Sequence, residues 1–215
     1  LSGAGVVFKL AAALDGCTPD VMLPFYGDLA AIGTIADIML LEGENRRIVK
    51  AGLALLQQTE RPGIAALIEA CGLGGKELTA ENVSFGLAPR LNAAGRMDSA
   101  AAALELLLCE DPEEAEAIVA GLEAQNAARQ KAEQDILQGV LDSVAADETY
   151  GADRILVVWG RGYHQGVIGI VASRVVERFG KPAIIVSVDE NGEGKGSGRS
   201  IAGVSLYNAI AACGD

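Results

Sequence analysis

The stretch Asp111-Pro112-Glu113-Glu114-Ala115 opens the segment whose reading decides the fold. A capping acid, a proline at the first turn and acids at the positive end of the helix dipole together mark a helix start. Apolar residues then recur at Ala115, Ile118, Val119 and Leu122, and again at Ile136, Leu137, Val140, Leu141 and Val144, which is helical spacing. Between these runs the same stripe carries Asn126 and Arg129. Continued to about residue 146, such a helix measures roughly 50 Å at ~1.5 Å per residue. That is long for one compact domain, so the segment reads as a connector joining two lobes.

On its C-terminal side the grammar changes after Tyr150-Gly151-Ala152-Asp153. The spacing predicts a short buried strand over 155–159, a helix over 167–179, a strand over 183–188 and a third strand over 195–201. Ser205 caps a last helix. This alternation marks a small α/β domain. On the N-terminal side the pattern is helical. Helices are predicted over 4–14 and 44–57, from Pro62 to Cys71, and from the capping residue Thr79 to about Phe85; the apolar run 28–41 reads as a buried helix, with a strand as the alternative. The fold class is therefore α/β: a helix-rich part over 1–110, a connecting helix over 111–150 and an α/β domain over 151–215.

Half of the 215 residues are apolar and 21% are charged, which supports a packed core and argues against disorder. Aromatics make up 4%, too few for a platform of stacked bases. The net charge of −12 argues against generic polyanion binding. That charge is uneven. Residues 105–148 hold 12 acids against Arg129 and Lys131, whereas residues 151–215 balance at +1. The acidic segment reads as a solvated helix face. Cys17, Cys71, Cys109 and Cys213 form no CxxC pair, so the expectation is free thiols in a reducing cytoplasm. No run is long and apolar enough for a membrane span, no signal segment opens the chain, and nothing marks an oligomeric state.

Two stretches put arginine beside glycine and small residues: Arg90-Leu91-Asn92-Ala93-Ala94-Gly95-Arg96 and Gly194-Lys195-Gly196-Ser197-Gly198-Arg199-Ser200. Glycine lets backbone N–H groups approach an anion, and the guanidinium fork grips a phosphate. In the first stretch the small and polar residues break the helical pattern. It is either a structural turn or a phosphate site using Arg96, with Arg90 and Asn92. The second lacks the GxxxxGK[ST] order and leads into a strand, so it is not a nucleotide P-loop. No glycine triad of the dinucleotide-binding kind follows a first strand. A plain hairpin turn is the alternative, but Ser197 and Arg199 alternate along an extended chain and can share one face. His164 stands at a helix start, where anions are favoured. Asp37, in Gly33-Thr34-Ile35-Ala36-Asp37, is expected in an apolar neighbourhood, which requires a cap, an ion pair or a metal. One aspartate and a single histidine cannot build a two-metal centre.

The motifs GTIAD (33–37), LAPRLNAAGRMD (87–98), the Asn126/Arg129 helix, YHQGVIGIVASR (163–174) and GSGRSI (196–201) occur in an order that resembles the RecJ-type exonucleases of the DHH phosphoesterase superfamily. The resemblance covers nearly the whole chain. It implies part of a DHH catalytic domain over 1–110, a long connecting helix, and part of a DHH-associated domain over 151–215. The implied activity is manganese- or magnesium-dependent 5′→3′ hydrolysis of single-stranded DNA in recombination and repair, with the strand between the lobes. Asp37 matches the last metal-ligand aspartate. Arg96, Ser197 and Arg199 match positions that grip the strand, with Gly198 and Ser200 alongside; Asn126 and Arg129 of the connecting helix are expected among the strand-binding residues, and His164 matches the second domain's site. The DxD and DHH motifs are absent and are expected before residue 1. No catalytic residue is therefore assigned within this chain. Two alternatives stay open: a module that binds nucleic acid or phosphate without cleaving, and a DHH enzyme acting on oligoribonucleotides or cyclic dinucleotides.

Overall fold

The computed structural model describes residues 1–147 and 149–214. It divides into two units, Leu1–Asn126 and Ala127–Asp215, and the boundary falls inside the longest helix.

The first unit is helical. Its elements are α1 (Gly3–Leu14), α2 (Pro19–Ala36), α3 (Gly43–Leu56), α4 (Pro62–Ala70), α5 (Ala80–Asn82), α6 (Ala88–Met97), α7 (Ala101–Leu108) and the first part of α8 (Pro112–Ala146). Ser2 Oγ caps α1 by accepting the Gly5 N–H at 3.0 Å. Helix α2 begins nine residues before the expected 28–41 span because Pro19 is pre-set for a first turn. It ends at Ala36, since Ile38 adopts a left-handed φ of 52° that no helix continues.

Residues 88–97 form a helix, not the interruption expected from their small and polar side chains. Thr79 and Asn82 close a reciprocal capping box at the start of α5. A π turn over Val83–Leu87 then carries the helix into α6. Proline at 89 lacks an N–H and crowds the carbonyl four residues back. The widened π turn just before it keeps the chain helical despite that defect.

Leu56, Ile64, Leu67, Val83, Leu87, Leu106 and Leu122 are fully buried in this unit's core. Two glycines set how closely the helices approach. A methyl at Gly52 of α3 would stand 2.3 Å from Ala31 Cβ and from the Gly27 carbonyl oxygen of α2. One at Gly63 of α4 would stand 1.8 Å from the Leu106 carbonyl oxygen of α7.

The second unit holds the rest of α8, α9 (Thr149–Ala152), β1 (Leu156–Arg161), α10 (Gln165–Phe179), β2 (Ala183–Val188), β3 (Gly194–Arg199) and α11 (Leu206–Ala211). The strands lie in the order β1-β2-β3. β1 and β2 are parallel, with Leu156 opposite Ala183, and β2 and β3 are antiparallel, with Ile185 opposite Ser197. Strand alternation sends Leu156, Val158, Ala183 and Ile185 to one buried face. Val167, Ile168, Val171, Ala172 and Val175 of α10 are buried too, so α10 supplies the helical layer for that face.

Candidate nucleic-acid interface

In the second unit the path of the chain from β1 to α10 is fixed residue by residue. Ser187 Oγ, buried in β2, donates to the Tyr163 carbonyl at 2.6 Å. The Tyr163 ring lies over Gly160, where a methyl would stand 2.1 Å from ring carbon Cζ, so only glycine admits it. Burial raises the Tyr163 phenol above its ordinary value of 10.0. Gly162 turns with φ 70°. His164 then caps α10, its Nδ1 accepting the Gly166 N–H at 3.2 Å. With Nδ1 taken up by that bond, Nε2 is the ring's second polar atom.

Strand β3 lies beside α10. Ser197 and Arg199 do share one face: a methyl at Gly169 of α10 would stand 3.0 Å from Ser197 Oγ and 3.1 Å from Arg199 Nη2. Arg199 Nη1 donates to Ser197 Oγ at 3.3 Å and to the Gly198 carbonyl at 2.8 Å. A hydroxyl and a guanidinium thus stand together above a helix residue with no side chain. Gly169 is the part of this cluster that sequence reasoning missed. The signal was present in VIGIV, a glycine inside an apolar helical run, where it costs stability unless a close approach requires it.

The other candidates in this strand are placed differently. Gly198 turns to the opposite sheet face, where a methyl would stand 3.1 Å from Leu206 Cδ1 of α11. Ser200 Oγ donates to the Val204 carbonyl at 2.7 Å and closes the turn that follows β3.

Helix α8 carries Arg129 as a largely covered group, paired on its own helix. Its Nη1 donates to Glu133 Oε2 at 2.7 Å, with side chains 13% and 6% exposed. Glu133 Oε1 accepts from Arg174 Nε of α10. Asn126 is also buried. Glu133 was read as one of many solvated acids on this helix. It is instead a buried carboxylate between two arginines, as the cost of an unpaired buried charge demands.

In the first unit Asn92 and Arg96 are exposed, four residues apart on one face of α6. Arg96 lies in the last turn, where a cation opposes the negative end of the helix dipole. Arg90 is committed: Nε donates to Glu123 and Nη1 donates to the Gly86 carbonyl at 2.8 Å. Cys71 nearby has its thiol pushed above the ordinary 9.0, chiefly by burial; the Arg90 charge lowers it and Glu123 raises it.

Asp37 is exposed, which corrects the expected apolar neighbourhood. Helix α2 stops one residue earlier, and Asp37 is its C-cap, donating its N–H to the Gly33 carbonyl at 3.1 Å. The buried acid of α2 is Asp28, which sequence reasoning missed. Its Oδ2 accepts from Arg61 Nε at 2.8 Å, and Arg61 Nη2 donates to the Phe25 carbonyl at 2.7 Å. Among the described residues no three histidines, cysteines, aspartates or glutamates gather into a metal-holding group. No described helix is long and apolar enough to cross a membrane.

Comparison with known proteins extends the motif resemblance. Residues 152–215 match the DHHA1 domain. The chain is 45% identical over 217 aligned positions to the single-stranded-DNA-specific exonuclease RecJ of Bacillus subtilis, covering 100% of this chain and 27% of that protein. It is 41% identical to the RecJ of Thermus thermophilus, covering 100% of this chain and 30% of the relative. The crystal structure of Thermus thermophilus RecJ with Mn2+ superposes with a TM-score of 0.79 at 38% identity, over 94% of this chain and 29% of the other. The same protein has been solved with Mg2+. The chain is therefore homologous to RecJ along its length, and it spans under a third of these relatives.

Proposed function

We propose that the chain is the strand-holding part of a metal-dependent, single-stranded-DNA-specific 5′→3′ exonuclease of DNA repair and recombination. Homology to RecJ along the whole chain supports the assignment. The observation that carries the strand-holding role is the Ser197–Arg199 pair seated over Gly169. A guanidinium and a hydroxyl at contact distance from each other suit the non-bridging oxygens of a phosphodiester. Arg96 and Asn92 on α6 supply a further phosphate-facing group of the same chemistry. His164 adds Nε2 at the start of α10, where the helix dipole favours an anion. Such contacts read the backbone and not the bases, which agrees with a scarcity of aromatic side chains.

The described residues do not make a metal centre. In this reading Asp37 is an exposed carboxylate that contributes one ligand to a cluster of Mn2+ or Mg2+ whose other donors lie elsewhere in the longer enzyme. That donor set also favours a second reading for these 215 residues in isolation, as a module that binds single strands or phosphate and cleaves nothing. The spacing of the four cysteines, with no CxxC pair, supports a reducing, cytoplasmic setting.

The test is binding of the chain to a fluorescent oligothymidylate as salt is varied. Binding that weakens with salt, and weakens further in Arg199→Ala, is expected. No binding at low salt, or a variant that matches the unmodified chain, refutes the assignment. In the full-length enzyme, Asp37→Ala is expected to abolish manganese-dependent digestion; full activity there removes the ligand role.

A further inference from the structure

Arg174 ends the stretch YHQGVIGIVASR but takes no part in the cluster described so far. Its setting is unusual for a surface arginine. Nε donates to Glu133, a residue 5% exposed, while the Arg174 side chain is 56% exposed. Among the described residues its two Nη groups have no partner. Glu133 is already matched by Arg129, whose side chain is 13% exposed. One arginine suffices to neutralise one carboxylate. The second leaves a positive charge, held rigidly by its inner nitrogen, with the outer edge of its fork turned to solvent. That edge is the one that grips a phosphate bidentately. Because Glu133 already holds the side chain, less rotamer entropy remains to be lost on binding.

Helix geometry relates this group to the Ser197–Arg199 pair within the same unit. Arg174 follows Gly169 by five residues. At 3.6 residues per turn that is about 140° around α10 and about 7.5 Å along it. Gly166, Ile170, Ser173 and Glu177 fill the arc between them, and none of the four is buried. Two arginines therefore flank the outer face of α10, with two small residues and a single acid on the arc.

We propose that Arg174 is a second phosphate grip, oriented by Glu133, and that a bound single strand crosses the outer face of α10 from the Ser197–Arg199 pair toward it. This rests on the strand-holding role proposed above. Arg174 is the binding residue; Glu133 is a positioning residue that acts through it.

The experiment measures binding of an oligothymidylate to the chain across a salt series for the unmodified chain, R174Q, R174K and R199A. A glutamine can still donate to Glu133 but carries no charge. R174Q is expected to weaken binding several-fold and to lower the slope of log affinity against log salt by about 0.7, the loss of one single-strand phosphate contact. R174K keeps the charge without the fork, so it should retain the slope and lose affinity. R174Q matching the unmodified chain while R199A lowers the slope overturns this inference alone. Flat responses in both overturn the strand-holding role with it. If R174Q melts at a lower temperature, the guanidinium NMR signals of the unmodified chain decide. Arg174 Nη signals that shift on adding the strand support the grip, and signals that stay in place overturn it.

Discussion

Replacing Gly169 by alanine separates the stability of the second unit from its grip on a strand. The added methyl would stand 3.0 Å from Ser197 Oγ and 3.1 Å from Arg199 Nη2, so both side chains must withdraw by a few tenths of an ångström. Both are movable side-chain ends, so the withdrawal itself costs little. Alanine meanwhile stabilises the interior of α10 by about 0.8–1.0 kcal/mol relative to glycine. The variant should therefore melt no lower than the unmodified chain. Binding should respond in the opposite direction. A charge-assisted hydrogen bond is worth about 1.5–3 kcal/mol. Losing about half of one as Arg199 shifts weakens affinity by up to about tenfold, since ~1.4 kcal/mol is a factor of ten. Paired melting curves and anisotropy titrations with an oligothymidylate make the measurement. Unchanged affinity would refute the assignment of Ser197 and Arg199 to the strand. A drop in melting temperature would refute the packing argument at Gly169.

Three further outcomes follow from the geometry. Gly63→Ala drives a methyl to 1.8 Å from the Leu106 backbone carbonyl, which cannot swing aside, so α4 and α7 must part. A loss of about 3 kcal/mol or more is expected in urea unfolding, the range of an overpacked core or above it. Glu133→Ala removes the buried carboxylate that Arg129 and Arg174 share; the expected cost is about 1.5–3 kcal/mol, the worth of hydrogen bonds to a charged group, read by the same method. At alkaline pH the half-buried Cys71 thiol gives a signed effect. Its folded pKa lies above the unfolded value, so the unfolded chain releases the proton first. Its contribution is complete below about pH 9.0 and declines as pH rises through the folded value. A Cys71→Ser variant should lose less stability than the unmodified chain over that window.

Much of this architecture is written in local signals. Asp111 caps α8 as read, its Oδ1 accepting the Glu113 and Glu114 N–H groups at 2.8 and 3.0 Å, and the helix runs unbroken to Ala146. The alternation after residue 151 resolves into β1, α10, β2 and β3 because period-2 and period-3.6 apolar patterns are distinct there. Residues 88–97 were opaque because their small and polar residues interrupt the apolar helical pattern, and the π turn that carries the helix into them leaves no pattern of its own.

The site was half legible. Alternation placed Ser197 and Arg199 together from spacing alone. Glu133 could not be told from its acidic neighbours, because what distinguishes it is burial against Arg129 and Arg174. Asp37 looked buried because Ile35 and Ala36 precede it, yet the helix ends just before it and turns it to solvent.

The most direct test of the account is an amide NMR titration of the chain with an oligothymidylate. Shifts concentrated at Gly166, Gly169, Ser197 and Arg199 are predicted, with the buried strand β2 unmoved. Saturable binding that leaves these four residues in place and perturbs other surfaces would contradict it.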